Sequence, residues 1–186
     1  MSLHWSGVMP GDTAYLMVPV GVTAGPVSLL AAFQRYGLRT FAVGAMDGEA
    51  RLAMMQRFQP QFFSTGPVYL RRLTIICQER GIVPRRDFPA LKAIKLGSFG
   101  FEVAWAGEME EFWGAKLIDT YASTQCGGGI ASTCEHGTWL PDGRRSMMHF
   151  PEHKVHVEVI DPATGEPARE DEEGEVVLTT FTREAM

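Results

Sequence analysis

Two kinds of apolar segment alternate along the first two thirds of the chain. Short β-prone runs occur at 13–20, 40–43, 61–64, 93–97 and 116–120, and stretches with helical spacing occupy 26–36, 48–58, 67–78 and 106–112. Each of the first four runs is followed by one of these helical stretches. This alternation with short links predicts a mostly parallel sheet flanked by helices on both faces, an α/β fold.

Local signals support the ends of two of these helices. Pro26 lies near a first turn, where its missing N–H costs least, and Gly37 is placed to end the same helix. Asp47 is a suitable cap for the helix predicted over 48–58.

The pattern changes after Thr124. Residues 125–143 are rich in Gly, Ser and Thr, and alternating strands follow at 156–160 and 175–181 with a Pro- and Gly-containing turn at Asp161–Gly165 between them. We therefore predict an α/β subdomain over residues 1–129 and a small antiparallel β-rich subdomain, cut short at its end, over residues 130–186.

Composition narrows the class of protein. The 186 residues carry 17 Lys and Arg against 22 Asp and Glu, a net charge of −5, so no basic stripe for nucleic acid is present. Basic pairs such as Arg144–Arg145 are interpreted as solvated surface or small anion contacts. No apolar run reaches the roughly 18 residues of a membrane helix, and the N-terminus does not resemble a signal peptide. Three sparse cysteines favour a reducing, cytoplasmic setting.

The segment from Asp119 to Gln125 is the first candidate for chemistry. We predict a buried strand that ends at Asp119 and a loop of small hydroxyl residues from Tyr121 to Gln125. Ligands of open parallel sheets bind beyond the carboxyl ends of strands, where Ser and Thr hydroxyls suit phosphate oxygens and a Tyr ring suits a base. A polar loop whose Ser and Thr cap a turn is the alternative on spacing alone.

A second segment, Lys95–Glu102, also leads from a strand into a loop that contains glycine. Glycine lets the backbone approach a flat ligand closely. Strand-to-helix turns use glycine routinely, so this signal is weak by itself.

In their order along the chain, these segments resemble the phenylacetate–CoA ligase family of adenylate-forming enzymes. Val18–Gly25 resembles the family loop FPYGLFTGG, Gly100–Glu102 resembles its GAE turn, and Asp119–Gln125 resembles DIYGLSE or YGSTE. The most specific match is the tail, where 157–166 and 174–186 are close to VEIIDPETGE and GELVLTTLTREAM. Such enzymes activate a carboxylic acid with ATP, release pyrophosphate and transfer the acyl group to CoA.

The resemblance implies roles for individual residues. Tyr121 would pack against adenine, Thr124 would bond the α-phosphate, and Asp119 would support the strand end or reach the nucleotide. The remaining expected nucleotide contacts are Gly100, Phe101, Glu102, Ala122 and Ser123. The expected acyl-pocket residues are Val20, Gly21, Thr23 and Gly25, and an apolar lining there would favour an aryl or aliphatic acid.

Gln125 departs from the family pattern. The family carries Glu at this position, and its carboxylate helps to hold Mg²⁺, a hard ion that prefers charged oxygen ligands. Gln125 offers an amide oxygen without charge. We therefore expect Thr124 and Gln125 to be the catalytic positions, with weakened or rearranged metal assistance.

The resemblance also implies segments that this sequence does not contain. The family's phosphate loop would precede residue 1, and its ribose-binding Asp segment and C-terminal domain with the catalytic Lys would follow Met186. We accordingly expect the chain to be the central part of a longer ligase that is not active alone.

A zinc site is a further expectation. Cys134, His136 and His149, with Cys126, Glu152 or His153 as the fourth ligand, are soft or borderline ligands at short intervals in an irregular segment. A reduced, partly buried cysteine with surface histidines is the alternative.

Three functions thus stay open. The first is part of an acid–CoA ligase that uses ATP/AMP, Mg²⁺, CoA and a small-molecule carboxylic acid. The others are a non-catalytic adenine-nucleotide-binding domain and a zinc-stapled interaction domain. The expected partners include no nucleic acid and no membrane, and a homodimer is left open.

Overall fold

The computed structural model describes residues 2–181, and its centre is a six-stranded sheet in the order β2-β1-β3-β4-β5-β6. Strands β1 to β5 are parallel and β6 is antiparallel to β5. The strands are β1 Thr13–Leu16, β2 Arg39–Ala42, β3 Phe62–Thr65, β4 Ala93–Gly97, β5 Lys116–Ser123, β6 Gly128–Ser132, β7 Val155–Ile160 and β8 Glu175–Thr180. The predicted fold class, a mostly parallel sheet flanked by helices and followed by a small antiparallel region, is confirmed.

Helices cover both faces of the sheet. They are α1 Ser2–Trp5, α2 Ala24–Tyr36, α3 Gly48–Phe58, α4 Pro67–Glu79, α5 Pro84–Asp87 and α6 Val103–Trp113. One apolar core, around Phe33 of α2 and Phe62 of β3, fills the α2 side. A larger core that includes Leu52 of α3, Leu70 of α4 and Trp113 of α6 fills the opposite side. The chain therefore forms three layers with the sheet in the middle.

Local signals set several helix ends as predicted. Gly37 ends α2 in the left-handed region at φ 97°, and its N–H bonds the carbonyl oxygen of Gln34 at 3.0 Å. Asp47 Oδ1 accepts a hydrogen bond of 2.8 Å from the N–H of Ala50, which caps α3. The shared feature is that each signal acts within one helical turn.

Strand β1 is shorter than predicted, because it ends at Leu16 instead of Val20. Met17 still donates its N–H to the Ser64 carbonyl at 2.9 Å, but Pro19 has no N–H to continue a ladder. Residues 18–23 are therefore free to form a loop.

Strand β5 is longer than predicted. It continues to Ser123, so Tyr121, Ala122 and Ser123 lie in a strand and not in the loop expected from sequence. Strand β6 returns antiparallel along it, with Tyr121 paired to Ala131 and an irregular register after Tyr121. The return of β6 supplies backbone partners that extend β5 beyond the parallel part of the sheet.

The second sheet has two strands, β7 and β8, paired antiparallel with Val155 opposite Thr180. The predicted turn at Asp161–Gly165 is present, since the Gly165 N–H bonds the Asp161 carbonyl at 2.8 Å. β6 crosses the predicted subdomain boundary at residue 130 and joins the large sheet. The end of the matching tail, residues 182–186, lies outside the described residues. Between residues 2 and 181, no helix is both long and apolar enough to cross a membrane.

Candidate functional site

The carboxyl ends of β4 and β5 lie side by side in the middle of the large sheet. Leu96 is in register with Asp119, and Gly97 is in register with Thr120. The segment Lys95–Glu102 leaves the sheet after Gly97, and the segment Asp119–Gln125 continues from the same level in β5. They therefore start from one edge, which is where open parallel sheets bind ligands.

Arg145 joins the two segments. Its Nη1 donates to Asp119 Oδ2 at 3.0 Å, and its Nη2 donates to the carbonyl oxygen of Phe101. The guanidinium also lies over the Phe101 ring, 5.0 Å from the centroid. One side chain thus holds the Gly100–Glu102 turn against the end of β5, and we name this set of contacts the Arg145 clamp.

Asp119 is buried and held on both sides. Its N–H bonds Thr133 Oγ1 at 3.0 Å, and its carbonyl accepts the Thr133 N–H at 3.0 Å. Burial raises the pKa of the Asp119 carboxyl, and the neighbouring charges of Arg145 and Lys95 oppose that rise. The Asp119 carboxylate therefore has Arg145 as its partner in this structure.

Sequence reasoning missed Arg145. The pair Arg144–Arg145 was interpreted as solvated surface or small anion contacts. Both side chains are exposed, and Arg144 pairs with nearby Asp142 at 2.7 Å, whereas Arg145 also contacts Asp119 and Phe101. Arg145 lies 26 residues from its partner Asp119, so no local spacing connects the two.

The Gly100–Glu102 turn precedes α6 directly. Glu102 is the residue before the first turn of α6, and it makes no side-chain capping bond. Ser98, at the start of the turn, has φ 79° in the left-handed region. Non-glycine residues rarely adopt this conformation, and such strain concentrates at functional turns.

The reversal between β5 and β6 contains the expected catalytic positions Thr124 and Gln125. The Gly127 N–H bonds the Thr124 carbonyl at 3.1 Å, and Ser123 Oγ bonds Gln125 Oε1 at 2.6 Å. Tyr121 lies just before this turn, and the residue is 46% exposed. A ring with that exposure is accessible to a flat ligand.

The expected acyl-pocket loop is exposed. Val20, Gly21 and Thr23 lie in it, and Gly25 lies in the first turn of α2. The base of this loop is anchored by Arg51, which is buried and donates to the carbonyls of Met17 at 3.1 Å and Gly44 at 2.5 Å. Its guanidinium also lies 4.4 Å from the centre of the Tyr69 ring.

Helix α2 brings this loop towards the nucleotide segments. A β-carbon placed on Gly128, at the start of β6, would lie 4.0 Å from Cβ of Ser28 in α2. The first turns of α2 therefore lie beside the β5–β6 reversal, and all three predicted segments belong to one end of the sheet.

The expected zinc ligands do not form a site. Within residues 2–181, no group of three or more His, Cys, Asp or Glu side chains is close enough to hold a metal. Cys134 is a buried free thiol, Cys126 is a half-buried free thiol, and the His149 ring lies 5.1 Å from the Trp5 ring. His149 and Glu152 instead line a cavity of about 450 Å³ beside β7, and His136 and His153 are exposed. The zinc prediction is therefore unsupported.

Relatives of known activity match the whole chain. It is 28% identical over 186 residues to a phenylacetate-coenzyme A ligase of Thermus thermophilus and 25% identical to that of Escherichia coli. The chain spans about 40% of the length of these relatives.

Solved structures show the same fold. A 2-hydroxyisobutyryl-CoA ligase in complex with 2-HIB-AMP and CoA superposes with a TM-score of 0.84 over 98% of this chain and 42% of its own, at 21% identity. A benzoate CoA ligase from Burkholderia xenovorans superposes with a TM-score of 0.75 over 96% of this chain and 35% of its own, at 14% identity. The family model of the AMP-binding enzymes matches residues 1–181. The chain belongs to the AMP-binding enzyme family.

Proposed function

We propose that this chain forms the acyl- and adenylate-binding part of an AMP-forming acid–CoA ligase. The observation that carries the proposal is the Arg145 clamp, because it holds the Gly100–Glu102 turn against the end of β5. The two segments expected to bind adenine and phosphate therefore share one edge of the sheet. Relatives named as phenylacetate-coenzyme A ligases support the substrates: an acid, ATP and CoA.

The adenine would lie between two segments. Tyr121 offers an exposed ring for stacking, and the backbone of Gly100 and Phe101 offers polar groups at the ring edge. The Arg145 clamp fixes the position of Phe101 relative to β5, so the two sides of this site are held at a constant separation. Such preorganisation lowers the ordering cost of binding.

Activation of the acid is largely a problem of positioning and charge. The carboxylate oxygen attacks the α-phosphorus, the bond from that phosphorus to the bridging oxygen breaks, and pyrophosphate leaves with that oxygen. Negative charge on the phosphoryl oxygens must be stabilised as this occurs. In this chain we assign the Thr124 hydroxyl as a donor for those oxygens.

Magnesium is the part of the family chemistry that these residues fit poorly. Gln125 has an uncharged amide, and its Oε1 already accepts a bond from Ser123 at 2.6 Å. A hard divalent ion prefers charged oxygen ligands, so Gln125 is a weak ligand. No step of the proposed reaction therefore runs through a metal held by Gln125.

The same observation favours a second candidate, a domain that binds an adenine nucleotide without turning it over. Gln125 supports it, because an uncharged amide stands where the family pattern has a carboxylate. A zinc-stapled interaction domain has no support among the described residues. Cytoplasmic location, dimerisation and the absence of nucleic acid or membrane partners stay predictions from sequence.

ATP–pyrophosphate exchange separates the two candidates. The protein as its source cell expresses it would be assayed with a panel of aryl and aliphatic acids, and acid-dependent exchange is the expected result. Calorimetry with AMP runs in parallel. AMP binding without exchange for any acid would select the non-catalytic domain, and absence of both would refute each candidate.

Tyr121→Ala tests the adenine position. Loss of the stacking ring is expected to weaken AMP binding about tenfold. This corresponds to the roughly 1–2 kcal/mol that stacking of a base on an aromatic side chain contributes to binding. Phe99→Ala is the matched control, since Phe99 is also an exposed aromatic residue near this edge. Equal effects of the two substitutions would contradict the placement of adenine against Tyr121.

A further inference from the structure

Lys95 is a buried cation on the α2 side of the large sheet. It lies in β4 between Ala93 and Gly97, and its residue is only 6% exposed. Alternate residues of a strand share a face, so Lys95 lies on the face of Ala93 and, across the register, of Ile118. Ala93 and Ile118 belong to the core that packs against α2.

The Lys95 ammonium has no dedicated counter-ion. Its electrostatic partner among the described residues is Asp119. Asp119 is in register with Leu96, so it lies on the opposite face, where its carboxylate is paired with Arg145. Arg145 and Lys95 thus share one carboxylate among the described residues.

A second polar group lies beside Lys95 without a partner. Thr120 Oγ1 is buried and makes no hydrogen bond to any described residue. Thr120 shares the Lys95 face, one strand across and two residues further towards the ligand edge, about 8 Å away between Cα atoms. Gly97 lies on this face between Lys95 and the edge, in register with Thr120, and it contributes no side chain there. A buried hydroxyl without a partner is costly, and a ligand that supplies an oxygen acceptor between it and the ammonium removes that cost.

The position of this pair relates it to the acyl side of the proposed site. The first turns of α2, which follow the expected acyl-pocket loop, lie beside the start of β6 and cover the same face. The nucleotide segments held by the Arg145 clamp lie on the other face and at the strand ends. Lys95 is therefore placed to meet the acid and not the nucleotide.

We propose that Lys95, with the Thr120 hydroxyl, is a specificity-determining residue that binds a second carboxylate at the far end of the acid substrate, so that the preferred acids are dicarboxylic. This inference rests on the proposed function. It differs from the apolar lining expected from sequence, because the two groups that face α2 here are a cation and a hydroxyl. Burial lowers the pKa of Lys95 to about 8, which leaves its amine mostly charged at neutral pH and able to bind an anion.

Matched acyl-adenylate analogues test the inference in the full-length protein. Stable acyl-sulfamoyl adenosines of butyrate and succinate, of pentanoate and glutarate, and of hexanoate and adipate differ within each pair only by the terminal carboxylate. Calorimetry gives the dissociation constant of each. We expect the carboxylated member of at least one pair to bind about 30-fold more tightly, the effect of a desolvated charge pair.

Three variants identify the residue responsible. Lys95→Met keeps the chain length without the charge and is expected to abolish the difference within the pair. Lys95→Arg keeps the charge and is expected to retain most of the preference. Lys92→Met is the matched control, since Lys92 is a nearby lysine whose ammonium pairs at the surface with Asp12 at 2.7 Å.

Several outcomes would overturn the inference without touching the proposed function. One such outcome is that the protein binds AMP but binds the carboxylated analogue of every pair no more tightly than the analogue without the terminal carboxylate. An undiminished preference in Lys95→Met is another. If Lys95→Met does not fold, the comparison of pairs in the unsubstituted protein still decides. Failure of AMP and of all six analogues to bind would instead refute the proposed function.

Discussion

Replacing Arg145 with methionine removes the Arg145 clamp while preserving most of the aliphatic length of the side chain. The substitution deletes the ion pair with Asp119, the hydrogen bond to the Phe101 carbonyl and the contact with the Phe101 ring. Asp119, whose side chain is 9% exposed, is then left without its charged partner. We therefore expect lower stability and a less ordered Gly100–Glu102 turn.

The magnitude follows from these contacts. Two charge-assisted hydrogen bonds are worth roughly 1.5–3 kcal/mol each when well shielded, but the Arg145 side chain is 41% exposed and solvent screens part of that energy. A net loss of about 2 kcal/mol is expected. In a domain of this size that corresponds to a decrease in Tm of about 4–8 °C.

The loss should depend on pH. A carboxyl pKa that is raised in the folded protein means that folding favours the protonated form, and removal of Arg145 raises the pKa of Asp119 further. The resulting destabilisation is complete above the folded pKa and disappears below the unfolded value of 3.8. The difference between variant and parent is thus largest near pH 7 and shrinks as the pH falls.

Urea unfolding of Arg145→Met at several pH values measures both effects. Arg144→Met is the matched control, because Arg144 is the adjacent residue and pairs only with exposed Asp142. Its expected effect is below about 0.5 kcal/mol. Equal losses for the two variants, or a loss for Arg145→Met that grows towards low pH, would refute the clamp.

Two further predictions concern the loop base and the thiols. Gly44→Ala places a β-carbon 2.3 Å from the carbonyl of Val18, so the loop must shift and Tm should fall by several degrees. Gly21→Ala is the control, because a β-carbon there would have no atom within 4 Å and Tm should hardly change. Equal Tm values for the two variants would contradict this packing. Burial raises the pKa of Cys77 to about 12, so iodoacetamide at pH 8 should alkylate half-buried Cys126 first, as peptide mass spectrometry would show. Faster labelling of Cys77 would argue against its burial.

The parts that sequence predicted well are those set by neighbouring residues. The helix from Gly48 to Phe58 begins after the Asp47 cap, and α2 ends at Gly37, both as expected. The strand over 93–97 also has the predicted bounds. In each case the signal and its effect lie within about one helical turn or one strand, which is why a local pattern suffices.

Resemblance at the level of motifs indicated the segments of the proposed site but not the side chains that hold them. It indicated that Gly100–Glu102 and Asp119–Gln125 belong together, and the strand register places their strands side by side. It carried no information on Arg51, which anchors the expected acyl-pocket loop, or on Arg145, which joins these two segments. Both arginines donate hydrogen bonds to backbone carbonyls, and a backbone carbonyl accepts such a bond whatever the side chain of its residue.

What the sequence by itself determined is therefore the order of strands and helices, the fold class and the family. Tertiary structure alone decided that β5 continues to Ser123, because its outer partners come from β6. It also decided that Arg145 meets Asp119 and that buried Lys95 shares the same carboxylate. The physical reason is that charge pairing and burial depend on residues distant along the chain, whereas periodicity and caps depend on near ones.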